Sequence, residues 1–347
     1  MAPAEYRSSA SEFPSIPTTR IDDVREALRA AFGAKTIGTM QPISGGVSGA
    51  TILRFEVDSR PYVLRLEPER IALHHRERHF ACMTSAAEAG AAPRVYFADA
   101  TRGVSIMDCI ATRPLAEYPG GPAGLAHGLG ALVARVQNSR TFPEMGDFPQ
   151  VIGAMLAALR ASGLFAAHAL DRHAEGLARI QAQLPWDSAS LVSTHNDPNP
   201  RNILFDGNRL WLIDWELASR NDPLVDIAIL STELAEAPAL QETLLSTVFG
   251  KPANREMRAR LAIIRLLTRL FYGCIVLENF MNLPRTAPDS NPDEYSPVSF
   301  RAAIADGRLA SGSQEVAYAF GKMSLTAFAA GIAAPDFTEL LKAAAQA

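Results

Sequence analysis

The apolar pattern of this chain changes period once, at the Pro- and Gly-rich stretch "ATRPLAEYPGGPAG", residues 111 to 124. Before it, apolar residues alternate as in strands, with two helical segments among them; after it, spacing of three and four residues dominates. A chain that spends its strands early and its helices late is expected to fold as α+β, since parallel βαβ architecture needs the two periods interleaved throughout. With 347 residues, 48% of them hydrophobic, there is enough apolar surface for two lobes.

Residues 1–20 read as a flexible tail rich in Ser, Pro and Ala, without the basic start and apolar core of a secretory signal. In "RIDDVREALRAAFG" the residues Ile21, Val24, Leu28 and Phe32 share one helix face, and Gly33 stands where a C-terminal cap belongs. Three strands are predicted at about 36–43, 50–57 and 62–67, then a helix over 70–90. Two more strands in "PRVYFADATRGVSIMDCI" meet near Arg102 and Gly103. Residues 21–110 thus form an N-terminal lobe in the order βββαββ. Residues 111–347 form a C-terminal lobe with helices at about 122–141, 149–162, 170–184, 224–248, 253–283 and 312–345, interrupted by the loop "NLPRTAPDSNPDEYSPVS".

The helical lobe is broken once by something different, "THNDPNPRNILFDGNRLWLIDWE", residues 194 to 216. The strands "ILF" and "LWLI" flank an Asp-Gly turn, so the hairpin folds Asp214 back toward Asn202. A carboxylate and a carboxamide oxygen brought together are hard oxygen donors, suited to Mg²⁺ shared with substrate phosphates. Asp197 is left for a second role. Phosphoryl transfer asks a protein for little covalent chemistry: a positioned acceptor hydroxyl, a metal on the phosphate oxygens, and neutralised charge.

"HNDPNPRN" with "IDWE" after it resembles the catalytic and metal-binding loops of the aminoglycoside phosphotransferase and choline kinase family, relatives of protein kinases, and the Asp-x-x-x-x-Asn spacing equals that of the protein-kinase catalytic loop. The "HND" and "IDWE" forms look more like the choline and ethanolamine kinase branch than the antibiotic-modifying branch, where Gly commonly replaces the Asn. The resemblance implies a protein-kinase-like fold: a small five-stranded antiparallel sheet plus a helix, and a larger mainly helical lobe. It implies that Asp197 orients the acceptor hydroxyl or accepts its proton, that Asn202 and Asp214 hold Mg²⁺, that His195 braces the loop, and that Asp226 supports it through hydrogen bonds.

A nucleotide site needs backbone N–H groups over the phosphates and a cation beneath them. No lysine occurs between Thr36 and Gly250, so Arg65 in "YVLRLE" takes the place of the kinase lysine, as choline kinase relatives also have it. Glu77 in "HHRERH", on the next helix, is its expected partner. "SGGVSG" resembles the family's nucleotide-covering loop, with Gly45, Gly46 and Gly49 admitting close approach and Ser44 or Ser48 donating. Residues 108 to 110 are placed where the family binds adenine through backbone groups, making Asp108 and Ile110 candidates.

For the acceptor, Trp215 and Glu216 come directly after Asp214, and "RLFYGCIVLENFMNL" offers Phe271, Tyr272, Glu278 and Phe280 as an aromatic and acidic group that would suit a quaternary ammonium. A small hydroxyl compound is expected, an amino-alcohol such as choline or ethanolamine, an aminoglycoside or a sugar. Only "WELASRNDP" separates Asp214 from the helix opening at Leu224, so there is no long activation segment to bind a peptide, and protein-directed transfer is disfavoured. The net charge of −4 provides no basic stripe for nucleic acid, no run reaches the length of a membrane span, and no obligatory protein partner is evident. Cys82, Cys109 and Cys274, odd in number and far apart, read as reduced thiols, and the expected compartment is the cytoplasm. The competing reading is a catalytically weak kinase-like module that binds a nucleotide or metabolite.

Overall fold

A computed structural model describes residues 15–43 and 49–347. In chain order the first elements are α1 (Ile21–Phe32), β1 (Gln41–Pro42), β2 (Thr51–Val57), β3 (Arg60–Leu66), α2 (Leu73–Glu88), β4 (Val95–Asp99), β5 (Val104–Asp108) and α3 (Gly121–Gln137). The middle of the chain holds α4 (Phe148–Ala161), α5 (Asp171–Gln183), β6 (Val192–Thr194), β7 (Ile203–Phe205), β8 (Leu210–Leu212) and β9 (Ser219–Asn221). The chain ends with α6 (Val225–Glu233), α7 (Pro238–Phe249), α8 (Arg255–Glu278), α9 (Pro297–Ala305), α10 (Gln314–Ile332) and α11 (Phe337–Ala344). Two compact units divide it: Met1–Pro143 with Asp197–Ser219, and Glu144–Asn196 with Arg220–Ala347.

The first unit is built on an antiparallel sheet in the order β1-β2-β3-β5-β4. Register places Leu53 opposite Leu64, and Leu64 opposite Ile106, while Phe55 faces Tyr62. This face is closed by Val24, Leu28 and Phe32 of α1, the apolar stripe that the spacing predicts. The alternate residues Ile52, Arg65 and Ser105 form a row across the other face. Phe55 is 0% exposed, so Phe55→Ala is expected to cost about 3–5 kcal/mol by loss of burial and opening of a cavity; urea denaturation of the two proteins measures it.

The predicted first strand, 36–43, is reduced to Gln41–Pro42 and one bridge between Ile37 and Val57. Pro42 has no N–H to give a ladder, and Gly38 donates to the Glu56 carbonyl at 2.8 Å without continuing the strand. The hairpin β7–β8 also belongs to this unit, with Ile203 opposite Leu212.

In the second unit the predicted helices over 224–248 and 312–345 are each two helices. Pro238 opens α7 and forces Ala237 before it to an extended ψ of 137°, and Pro335 stands between α10 and α11. The predicted loop over 282–299 runs into α9, whose start at Ser296 is fixed by a reciprocal capping box with Ser299. Among the described residues no single helix is long and apolar enough to cross a membrane.

Candidate active site

The second unit carries the turn that precedes the candidate catalytic loop. After β6 the chain turns through His195 and Asn196, both buried, with Asn196 in the left-handed region at φ 64°. That conformation is held from two sides. Asp226, fully buried in the first turn of α6, accepts the His195 N–H at 2.9 Å on one oxygen and the Asn196 N–H at 2.8 Å on the other. The Asn196 side-chain oxygen accepts from Thr194 Oγ1 and Asn221 Nδ2, each at 2.8 Å. His195 is therefore a buried residue of this turn, and Asp226 accepts from two buried amides. Asp226→Ala is expected to destabilise the protein by about 3 kcal/mol, because two buried N–H groups lose their acceptor, with Asp226→Asn costing less; paired chemical denaturation curves test the order.

The candidate catalytic loop, from Asp197 onward, belongs to the first unit. Asp197 is half-buried, and its two carboxylate oxygens are each gripped by an amide: Asn199 Nδ2 at 2.9 Å on Oδ1, and Asn202 Nδ2 at 2.9 Å on Oδ2. Asn202 Nδ2 also donates to the Asp197 carbonyl at 3.0 Å, which fixes its amide so that Nδ2 is spent inward and Oδ1 is left as an acceptor. The hairpin turn is organised by Asp206, which accepts the N–H groups of Asn208 and Arg209 at 2.8 Å, with Gly207 at φ 98°. Its return strand leads to Ile213, whose N–H donates to the Asn202 carbonyl at 3.0 Å. Asp214 comes next, also left-handed at φ 67°, and its buried Oδ1 has no hydrogen-bond partner. A carboxylate and a carboxamide oxygen are hard oxygen donors, the types that suit a divalent cation completing its shell with phosphate and water.

Arg65 lies against this group. Buried to 7% exposure, it donates Nε–H to Glu67 Oε1 at 2.7 Å and Nη2–H to Glu216, and its Nη1 stands 3.5 Å from Asp214 Oδ1. Burial alone would ease proton loss from the guanidinium, but Glu67, Glu216 and Asp214 together hold its pKa above the ordinary value. The expected pairing with Glu77 is not formed: Glu77 is on the exposed face of α2, and among the described residues no ion pair joins it to Arg65. His79, two residues on and so about 200° around the helix, faces inward instead, with Nδ1 3.2 Å from Glu67 Oε1. Arg78 donates to the carbonyls of Glu216 at 2.8 Å and Ala218 at 2.5 Å, tying α2 to the segment after Asp214.

Burial would raise the Glu67 carboxyl, yet the hydrogen bond with His79 and the Arg65 charge bring it down to about 2. A depressed carboxylate stabilises the fold above its unfolded pKa and loses that contribution as pH falls through the folded one. The stability difference between wild type and Glu67→Gln is expected to be full above about pH 4.5 and to shrink toward pH 2, which denaturation midpoints across that range would register. Glu216 titrates in the opposite direction, pushed up by burial and by the nearby Asp214 and Glu67 charges against the pull of Arg65.

The remaining candidates fall less neatly. Gly45, Gly46 and Ser48 lie outside the described residues. Trp215 is 2% exposed and packs edge-on against Phe142, so it is a core side chain and is corrected from the acceptor surface. Glu216 belongs with Arg65. Asp108 accepts from Arg60 Nη2 at 2.8 Å, while its N–H and that of Cys109 already donate to Arg94 and Pro61 carbonyls. Ile110 comes next as a half-buried residue. In the second unit Phe271 is buried, Tyr272 is half-buried with its ring 5.9 Å from that of Phe271, and Glu278 is exposed at the end of α8. Phe280 packs edge-on against Tyr318 instead. The residues that the pattern did not single out are Glu67, His79, Asn196, Asn199 and Asn221. Glu67 had a signal, because it lies two residues from Arg65, directly after the strand, and therefore shares its side of the sheet.

Residues 39–260 match the family model described as the phosphotransferase enzyme family. Protein LicA of Haemophilus influenzae is 43% identical over 57 residues, a match spanning 16% of this chain and 21% of that protein. The crystal structure of a choline/ethanolamine kinase family protein from Mesorhizobium loti superposes with a TM-score of 0.64 at 24% identity, covering 94% of this chain and all of that one. Spectinomycin phosphotransferase APH(9)-Ia, solved with ADP and spectinomycin, aligns with a TM-score of 0.59 at 11% identity, over 90% of this chain and 98% of that one. The fold is thus that of the kinase-like phosphotransferases, α+β with a five-stranded antiparallel sheet.

Proposed function

We propose, for a chain that belongs to the phosphotransferase enzyme family, that it moves the γ-phosphoryl group of Mg·ATP to a hydroxyl group of a small molecule. The observation that carries this reading is the joint placement of Asp197, held on both oxygens by Asn199 and Asn202, with an Asp214 whose buried Oδ1 has no hydrogen-bond partner. A surface turn would leave such groups hydrated; here they are ordered and partly desolvated, the preparation that phosphoryl transfer needs. In this reading residues 21–110 supply the nucleotide platform and residues 111–347 the catalytic loop and acceptor site.

Asp197 orients the acceptor O–H and takes its proton as the acceptor oxygen bonds to the γ-phosphorus. The bond from that phosphorus to the β-bridging oxygen breaks, and ADP leaves with its electron pair. Asn202 fixes the Asp197 carboxylate through Nδ2, and its Oδ1 together with Asp214 would hold the Mg²⁺. Mg²⁺ bound there would neutralise the phosphate oxygens as charge moves onto ADP. Arg65 supplies a buried positive charge next to Asp214, and the Ile110 backbone is the proposed adenine contact. The acceptor class favoured is an amino-alcohol such as choline or ethanolamine, supported by the "HND" and "IDWE" forms and by the likeness to a choline/ethanolamine kinase family protein.

The test is ADP release from Mg·ATP in the presence of pooled choline, ethanolamine, aminoglycosides and sugars. Release that depends on one pool and on Mg²⁺ supports the reading. Nucleotide binding without turnover in any pool would favour a nucleotide-binding module instead.

A further inference from the structure

The acid that orients Arg65 comes from the residue that follows its own strand, and the helix reaches that acid through an imidazole. Glu67 is 3% exposed and His79 4% exposed, and the chain of contacts runs Arg65 Nε to Glu67 Oε1 at 2.7 Å and Glu67 Oε1 to His79 Nδ1 at 3.2 Å. Arg20 adds a backbone tie, donating from Nη1 to the Glu67 carbonyl at 3.2 Å. Glu77, the acid on α2 nearest in sequence, points to solvent.

We infer that Glu67 and His79 form a relay that positions Arg65 for nucleotide phosphates, so that α2 controls phosphate binding through His79. The inference rests on the phosphotransferase reading and deepens it. The geometry explains why such a link is needed. Arginine presents a planar fork whose edges bind only when the plane is oriented, unlike the compact ammonium of lysine. Glu67 takes the Nε edge and so sets the rotation of the guanidinium, leaving the Nη edge toward Asp214 and Glu216. Glu67 would itself swing if it were held at one end alone. The His79 contact on the same oxygen that receives Arg65 Nε fixes it from the helix side, and Arg78, one residue earlier, holds α2 to the Glu216–Ala218 backbone. Helix, strand and the segment after Asp214 are therefore joined at one buried point. His79 and Glu67 act as positioning residues, since neither is placed to touch the phosphates.

The test compares wild type, Glu67→Gln, His79→Ala, His79→Gln and Glu77→Ala for binding of Mg·ATP and, separately, of adenosine, which has no phosphates. Glu67→Gln and His79→Ala are expected to weaken Mg·ATP by about tenfold, the loss of one charge-assisted hydrogen bond, with adenosine affinity unchanged. His79→Gln, which restores an N–H donor, should recover part of the affinity, and Glu77→Ala should match wild type. Equal loss of ATP and adenosine in the variants, or a Glu77→Ala loss as large as that of Glu67→Gln, overturns the relay while leaving the kinase reading intact. Wild-type protein that binds neither ligand overturns both.

Discussion

Asp197→Ala is expected to lower kcat by about a thousandfold while leaving Mg·ATP affinity within a fewfold of wild type. The carboxylate is aimed by Asn199 and Asn202, whereas Arg65 is held by Glu67, Glu216 and Asp214, so removing Asp197 takes away the acceptor's proton partner and leaves the phosphate machinery standing. Asn199→Ala removes one of the two amides that aim it and should lower kcat by a smaller factor with KM for ATP unchanged. Steady-state kinetics with varied ATP and acceptor separate the two effects. An Asp197→Ala protein with wild-type turnover would remove Asp197 from the reaction.

Asp214→Asn is expected to abolish the part of ATP affinity that depends on Mg²⁺, a loss of about a hundredfold if the metal contributes several kcal/mol to phosphate binding. Asparagine is the better replacement here for a backbone reason. Asp214 sits at φ 67°, which Asn tolerates and Ala does not, so Asp214→Ala adds a fold penalty of about 1 kcal/mol that Asp214→Asn avoids. ATP titrations with and without Mg²⁺ provide the comparison: wild type should show a large metal dependence and Asp214→Asn almost none. An unchanged metal dependence would place the cation elsewhere.

The two variants divide a candidate site whose residues local pattern singled out in the chain. The two-period pattern implied the segregated α+β architecture because period reports directly on which face is buried, and Leu53, Phe55 and Leu64 do face α1 as alternation requires. Asp197, Asn202 and Asp214 were legible because five-residue spacing and an Asp-Gly hairpin restrict where those side chains can go. Features that depended on rotation or on distant partners were not legible. Glu77 and His79 differ by two positions in a helix whose charged residues crowd both faces, so no apolar stripe distinguished the inward one. Trp215 beside Asp214 looked available as a contact, but Asp214 is left-handed at φ 67°, a turn that local pattern does not announce, and the residue after it is buried against Phe142. The hydrogen bonds of Asp226 to the His195 and Asn196 amides join residues 31 and 30 positions apart, a separation that local pattern does not encode.

The most direct measurement is phosphorus NMR of wild type incubated with Mg·ATP and each acceptor pool, with Asp197→Ala in parallel. Transfer to an acceptor hydroxyl through Asp197 predicts a new phosphate monoester resonance that grows as the γ-phosphate signal of ATP declines, in one pool, with Mg²⁺ present and in wild type only. Decay of ATP to inorganic phosphate without a monoester, or the same monoester formed at the same rate by Asp197→Ala, would contradict it.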